Sequence, residues 1–208
     1  MKTTSAQNTI QDLSILHAIY SRRAVRRYSD VPLEKDFIDK IIEAGTMAPS
    51  AMNRQPWKFY VVQDRALISS ISNEIVKVAA KDILKPGLKQ LIKTAKDLFH
   101  GSHFADFLNT SDPVFHGAPV VIFITASKEN EWAPIDIGMC AQNMMLAAKA
   151  FGLDSCPIGF AKYVSQTKIY PRLGIPQQEA VVLALIFGHG KENPKPHERI
   201  AGNVKIVD

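Results

Sequence analysis

The chain has 208 residues, a length typical of one domain, and its 46% hydrophobic and 22% charged residues are those of a globular protein with a substantial core. The net charge of +5 is modest, and no nucleic-acid-reading motif accompanies it, so binding to nucleic acid is not expected. The first eight residues lack the apolar core of a signal peptide, and the apolar stretches are too short to cross a bilayer. We therefore expect a cytoplasmic protein without a membrane partner.

The first half of the chain alternates helical and extended patterns. Residues 13–19 predict a short helix that leads into a cluster of arginines. Apolar residues at helical spacing follow from Leu33 to Gly45, and Pro49 prevents continuation of that helix. Residues 59–62 are β-branched or aromatic and predict a strand, which Trp57 anchors in the core.

The second half carries stronger patterns. Residues 64–84 and 88–100 predict two helices separated by Pro86 and Gly87, with lysines on solvated faces. Residues 119–125 and 180–187 are apolar enough to be strands buried on both faces, and residues 204–207 predict a short terminal strand. Residues 136–151 predict a helix whose small residues, Gly138 among them, permit close packing. Helices mixed with a few strands, without regular alternation, predict an α+β fold.

Several kinds of chemistry are disfavoured by the sequence. There is no GxSxG elbow or HExxH motif, and the glycines around His189 complete neither a dinucleotide fingerprint nor a Walker A loop. Cys140 and Cys156 have no zinc spacing and are expected to be buried thiols in a reduced compartment. The pair His100 and His103 has the composition of a loop, so no metal site is expected. Chemistry carried by an organic cofactor remains.

Two segments suit a phosphorylated ring cofactor. Residues 21–28 hold four arginines, whose guanidinium groups can grip a phosphate through paired N–H donors, although such a cluster alone is more often a solvated surface patch. Residues 48–57 are small and polar with two prolines, and they can place main-chain and amide groups against a flat polar ligand. Together the segments predict the two ends of one site.

Four segments of the chain resemble the nitroreductase family of FMN-dependent oxidoreductases. They are the two segments just described, the run that begins with Asp136 and continues through Gln142 and Asn143, and the sequence Pro-Ile-Gly-Phe at residues 157–160. The motifs occur in the family's order, and the resemblance spans residues 15–199. It implies one nitroreductase-like FMN-binding domain over residues 1–208, built on a central, mostly antiparallel sheet flanked by helices. It also implies an intertwined homodimer that holds FMN at the subunit interface, with a C-terminal segment that crosses to the partner subunit.

The resemblance assigns cofactor contacts to particular residues. Those expected at the phosphate, the ribityl chain and the pyrimidine edge of the flavin are Arg22, Arg23, Ala24 and Arg26. Those expected to flank the ring from the other subunit are Pro49, Ser50, Ala51 and Asn53. Those expected to lie over the ring, with an N–H that reaches flavin N5, are Pro157, Ile158 and Gly159. Of the basic pair His197 and Arg199, the second is the better match to a residue that closes on the phosphate. Arg26 would also stabilise negative charge on the reduced ring.

The implied activity is hydride transfer from NADH or NADPH, through flavin N5, to nitroaromatic, quinone or related conjugated acceptors in a ping-pong mechanism. FMN carries this chemistry, so no side chain is expected to be catalytic. Ala24 stands where serine is common, which removes one hydroxyl contact. The segment 65–116 matches nothing in the family pattern. Its Phe99, Phe104 and Phe107 could cover a planar substrate, although such spacing is more typical of core or dimer contacts.

Other functions fit the same residues. The scaffold could reduce activated alkenes, or it could serve a dedicated biosynthetic or dehalogenating step. A second alternative is a flavin-binding or redox-sensing protein without turnover. A third, a basic interaction module without a cofactor, predicts a colourless protein.

Overall fold

The fold is built on one antiparallel sheet with helices on both faces. The computed structural model describes residues 15–84 and 112–207. Within them the strand order is β1-β2-β4-β3, and each neighbouring pair is antiparallel. The strands are β1 (Lys58–Val62), β2 (Val120–Ser127), β3 (Asp154–Ile158) and β4 (Glu179–Gly188). The helices are α1 (Ile15–Ser21), α2 (Lys35–Thr46), α3 (Arg65–Leu84) and α4 (Ala133–Ala150), and 3₁₀ segments cover Ala51–Asn53, Gly159–Gln166 and Tyr170–Leu173. The predicted α+β class is confirmed.

Strand β2 divides the core into two clusters. Because successive side chains of a strand point to opposite faces, Val121 and Phe123 pack into one cluster while Ile122 and Ile124 pack into the other. Helix α3 and the 3₁₀ segment Gly159–Gln166 cover the first face of the sheet, whereas α2 and α4 cover the second. The continuous apolar run that predicted a doubly buried strand is thus confirmed.

Helices α2 and α4 pack closely at Gly45, which the sequence pattern placed in the helix but did not identify as a packing site. A Cβ at Gly45 would lie 2.6 Å from Cγ of Met144 and 3.1 Å from Sγ of Cys140. Gly138, expected to permit close packing, is exposed, and a Cβ there would meet nothing within 4 Å. The close approach therefore depends on the last turn of α2, where Asn143 Nδ2 also donates to the carbonyl of Ala44 at 3.3 Å.

The structure departs from the predicted elements most clearly at α4, at β3 and at residues 204–207. Helix α4 begins three residues before the predicted start, with Pro134 in its first turn, where a missing N–H costs nothing. Pro157 and Ile158, for which the sequence pattern predicts no strand, are the last residues of β3. The predicted strand at 204–207 is wrong: these residues are exposed and pair with no strand of the described chain, so they lack the ladder that defines a strand. The predicted helix 88–100 lies outside the described residues.

Both cysteines are free and buried, as the sequence predicted. Burial raises the pKa of the Cys140 thiol to about 12, so it stays protonated as a small apolar group. Across the described ranges, no helix combines the length and the apolarity that a membrane span requires.

Candidate functional site

The arginine segment is tied to the edge of the sheet. Ala24 forms a parallel bridge with Ser155 of β3, and the N–H of Val25 donates to the Ser155 carbonyl at 3.2 Å. Further along, Tyr28 bridges Gly190, and the N–H of Ser29 donates to the carbonyl of His189 at 2.8 Å. The segment is thus held between β3 and the residues that follow β4, so its backbone is fixed by two strands distant in sequence.

Two guanidinium groups in this segment carry donors without acceptors. Nη1 of Arg22 and Nε of Arg23 are buried and have no hydrogen-bond partner among the described residues. Arg23 Nη1 is satisfied by the carbonyls of Tyr20 and Arg22, at 2.7 and 2.8 Å. Burial lowers the pKa of Arg22, and the neighbouring positive charges of Arg23 and Arg199 lower it further. Two adjacent guanidinium groups with buried donors left over, together with the positive charge of Arg199 that acts on Arg22, fit a multiply charged anion such as a phosphate.

The remaining basic residues have different surroundings. The Arg26 side chain is exposed, while its backbone N–H donates to Oε1 of Glu192 at 2.5 Å. Burial raises the pKa of Cys156, and the charges of Arg26 and Arg22 partly oppose this effect. His197 is exposed. Arg199 is exposed as well, but of the two C-terminal candidates it is the one whose charge acts on Arg22.

Pro157, Ile158 and Gly159 lie at the end of β3, the strand that carries the arginine segment. Gly159 is exposed, and a Cβ there would meet nothing within 4 Å. It opens the 3₁₀ segment Gly159–Gln166, and the first N–H groups of a helical segment lack partners within it. An open backbone surface thus lies at the end of the strand that is bridged to the arginine segment.

The Pro49–Trp57 segment has an unusual backbone. Met52 and Asn53 each have φ of 52° and Gln55 has φ of 46°. These values lie in the left-handed region, which is unfavourable for residues other than glycine and asparagine. The loop is braced by Ser50, whose Oγ accepts the N–H of Gln55 at 2.9 Å. Trp57 is buried at the loop's end, as predicted. Such strain is concentrated at functional sites when the surrounding structure enforces it.

The two halves of the expected site stand on opposite edges of the sheet. The loop leads into β1, whereas the arginine segment and Pro157–Gly159 adjoin β3, and three strand spacings separate these edges by roughly 14 Å. One chain therefore brings together the arginines and the Pro157 strand end, but it does not add Pro49, Ser50, Ala51 and Asn53 to them.

Two cavities adjoin these segments. A groove of about 570 Å³ beside the strained loop is lined by Arg54, Lys58 and Glu179, among others. A smaller pocket of about 260 Å³ beside the arginine segment is lined by Arg23, Lys149 and Glu192, among others.

A carboxylate at the larger groove was not singled out by sequence reasoning. Glu179 accepts hydrogen bonds from Lys58 Nζ at 2.6 Å, from Thr125 Oγ1 at 2.5 Å and from Tyr60 OH at 3.1 Å. These bonds connect β1, β2 and β4. In the sequence, Glu179 could have been recognised as a charged residue at the start of an otherwise apolar strand.

Asp136 lies in the first turn of α4, where a carboxylate interacts favourably with the helix dipole. It is also 2% exposed and accepts the N–H of Ala51 at 3.2 Å. The substrate candidates Phe99, Phe104 and Phe107, and the pair His100 and His103, lie outside the described residues.

Comparison with known proteins finds relatives of this chain. A 4-nitrobenzoate reductase from Pseudomonas putida is 28% identical over 194 residues, with 84% of this chain and 85% of the relative covered. A nitrobenzene nitroreductase from Ectopseudomonas oleovorans is 29% identical over 205 residues, with 88% and 89% covered. A nitroreductase from Desulfitobacterium hafniense, solved with bound FMN, has the same fold, with a TM-score of 0.75 at 23% identity over 93% of this chain and 98% of that one. The Nitroreductase family model matches residues 19–189, and the chain belongs to the nitroreductase family.

Proposed function

We propose that residues 1–208 form one FMN-binding oxidoreductase domain that takes hydride from NADH or NADPH and passes it to nitroaromatic, quinone or related conjugated acceptors. The observation that carries the proposal is a pair of buried guanidinium donors, on Arg22 and Arg23, that find no partner within residues 15–84 and 112–207 and lie beside the open backbone that ends β3. Family membership supports the reaction class. The curated relatives named for 4-nitrobenzoate and nitrobenzene support nitroaromatic compounds as acceptors.

The residues present fit FMN. Its phosphate would take the orphaned donors of Arg22 and Arg23 together with Arg199, whose charge already bears on Arg22. Ala24 offers no hydroxyl, so the main chain at this position would contact the cofactor without a side-chain hydrogen bond. The exposed Gly159 leaves the backbone at the end of β3 open to a flat ring.

FMN supplies the hydride-accepting and hydride-donating atom, N5, when it is bound. The protein's part is to bind, orient and polarise. The charge of Arg26 acts on Cys156, and this cation would favour negative charge on the ring's pyrimidine edge. Burial of the nearby thiol raises its pKa, which keeps Cys156 neutral beside these cations. Donor and acceptor would use one site in turn, which predicts ping-pong kinetics.

The site requires a second subunit. Pro49, Ser50, Ala51 and Asn53 stand at the sheet edge opposite the arginines, so they would flank the flavin of the partner. A homodimer is also supported by large apolar side chains that are exposed to solvent in the single chain. On α1 and in the C-terminal segment these are Ile15, Leu16, Tyr20, Ile200, Val204, Ile206 and Val207, each more than half exposed.

The first experiment is the visible absorption spectrum of the purified protein, followed by mass analysis of the pigment released by heat. We expect a two-banded flavin spectrum and close to one FMN per subunit. A colourless protein that also fails to bind added FMN would contradict the proposal and favour an interaction module.

Acceptor assays separate the remaining alternatives. We expect 4-nitrobenzoate or nitrobenzene to reoxidise the reduced protein faster than a simple enone does. The reverse order would identify an alkene reductase on the same scaffold. A flavin that NADH and NADPH leave oxidised would identify a flavin-binding or redox-sensing protein.

A further inference from the structure

Asp136 is a buried carboxylate that the expected chemistry does not use. It lies in the first turn of α4 and is 2% exposed. Its Oδ1 accepts the N–H of Ala51 at 3.2 Å, while Oδ2 is buried without a partner in the described chain. Burying a carboxylate is unfavourable, and an interaction with the helix dipole does not require it, because an exposed acid in the first turn interacts as well. The burial of Asp136 therefore serves its contact with Ala51.

Ala51 opens a loop that local preferences do not stabilise. Three of the residues that follow it, Met52, Asn53 and Gln55, have positive φ, and methionine and glutamine pay a steric penalty there. The bonds from Asn53 N–H to the Ser50 carbonyl and from Gln55 N–H to Ser50 Oγ stay within the loop. The bond from Ala51 to Asp136 joins the loop to α4, which is anchored in the core through Ile137, Cys140 and Met144.

We propose that Asp136 is a positioning residue for flavin binding. Its carboxylate holds the Ala51 N–H and thereby fixes the strained loop in the conformation that presents Ser50, Ala51 and Asn53 to the cofactor. It acts through the loop and does not touch the flavin. This role rests on the proposed function, in which the loop flanks the ring.

Two substitutions of Asp136 test how strongly its hydrogen bond affects FMN binding. Asp136→Ala removes the acceptor, and we expect the Kd for FMN to rise by about tenfold or more, since hydrogen bonds to charged groups are the stronger ones. Asp136→Asn keeps a carbonyl oxygen of the same reach, so we expect a rise of roughly threefold. Glu131→Gln is the matched control: Glu131 is an exposed acid just ahead of α4, and its loss should leave the Kd unchanged.

The readouts distinguish positioning from stability. FMN fluorescence quenching at a temperature well below melting gives the Kd, and visible circular dichroism at saturating FMN reports the ring's surroundings. Thermal unfolding of the apoprotein is measured alongside. A merely structural Asp136 would lower the unfolding temperature of the Asp136→Ala protein but leave its Kd and the dichroism of its bound flavin as in the wild type.

A substitution at a second position, Ala51, removes the donor of this hydrogen bond instead of the acceptor. Ala51→Pro has no N–H, and the backbone tolerates it because Ser50 is extended, with φ −142° and ψ 153°, and Ala51 is the first residue of its 3₁₀ segment. If Asp136 acts through this bond, the double variant Asp136→Ala/Ala51→Pro binds FMN no more weakly than Ala51→Pro alone. If the increases in Kd of the two single variants instead multiply in the double variant, the proposal is overturned.

Each outcome decides a separate point. A wild-type protein that binds no FMN overturns the proposed function and this role with it. A wild type that binds FMN, together with an Asp136→Ala protein of equal Kd and equal flavin dichroism, overturns the role alone. If Asp136→Ala does not fold, Asp136→Asn and Ala51→Pro decide, because unchanged Kd values in both would also overturn it.

Discussion

Arg22 is the side chain on which the cofactor's phosphate should depend most. Its Nη1 is buried and has no hydrogen-bond partner in the described part of the chain, whereas Arg27, five residues on, is exposed and lies 3.9 Å from Glu192. We expect Arg22→Ala to raise the Kd for FMN by roughly ten- to a hundredfold, since it removes a charge-assisted bond. Fluorescence titration measures this value. Arg27→Ala, which removes the same charge from the same segment, should change it less than twofold, and equal losses would mean that only the overall charge matters.

Glu179 should stabilise the fold in a pH-dependent way. Burial alone would raise its pKa, but hydrogen bonds from Lys58, Thr125 and Tyr60 outweigh this and hold the pKa below its ordinary value of 4.5. A group whose folded pKa is depressed contributes stability above its unfolded pKa and loses it as the pH falls through the folded value. The contribution of Glu179 is therefore complete at neutral pH and fades below about pH 4.5.

Glu179→Gln tests this contribution. We expect the variant to lose about 1–2 kcal/mol of unfolding free energy at pH 7, because three donors lose their charged acceptor. Urea unfolding at pH 7 and at pH 3.5 measures the difference, which should shrink at the lower pH. A difference that stays constant or grows on acidification would contradict the assignment.

At the scale of elements, the contact between α2 and α4 should tolerate no side chain at Gly45. Gly45→Ala would place a Cβ 2.6 Å from Met144 Cγ, so we expect about 1–3 kcal/mol of destabilisation. Gly138→Ala in α4 is the control, because a Cβ there meets nothing within 4 Å and alanine favours helix. Denaturant midpoints should fall for the first and hold or rise for the second. Equal midpoints would show that α2 shifts freely along α4.

Elements with strong local patterns were predictable from the sequence. The apolar residues of strand β2 form one continuous run and those of helix α4 recur at helical spacing, so each pattern fits a single type of element. The bounds of both elements lie within three residues of the predicted ones. The short strand β3 contains Pro157 and depends on pairing with β4 and on the bridge to Ala24, neither of which is local. Residues 204–207 have strand composition, but no neighbouring strand pairs with them in the described chain.

The candidate site divides in the same way. The arginine and Pro-Ser segments could be read from composition and motif, because each is contiguous. The contact of Asp136 with Ala51 spans 85 positions, and that of Glu179 with Thr125 spans 54, so no local pattern encodes them. The positive φ of Met52 and Gln55 was also unpredictable, since these residue types rarely adopt it and only the folded surroundings enforce it.

At the scale of the whole molecule, the C-terminal segment should be required for both assembly and cofactor binding. We expect the intact protein to run as a dimer of its 23.0 kDa subunit in light scattering. Removal of residues 194–208 takes away Arg199 and four exposed apolar side chains, and it should weaken both the dimer and FMN binding.

Arg199→Ala separates these two effects. It keeps the apolar side chains and should leave the dimer intact while the Kd for FMN rises. A truncated protein that remains dimeric and binds FMN as tightly as the intact chain would contradict a role for the segment.

We expect hydride to enter from a nicotinamide and to leave to a nitroaromatic acceptor at one flavin. The most direct test is an anaerobic titration of the FMN-loaded protein with NADH or NADPH, followed by addition of 4-nitrobenzoate, with absorbance recorded throughout. We predict that one equivalent of at least one nicotinamide bleaches the flavin and that the nitro compound restores its colour. A flavin that neither nicotinamide bleaches, or that stays bleached after the nitro compound is added, would contradict this account.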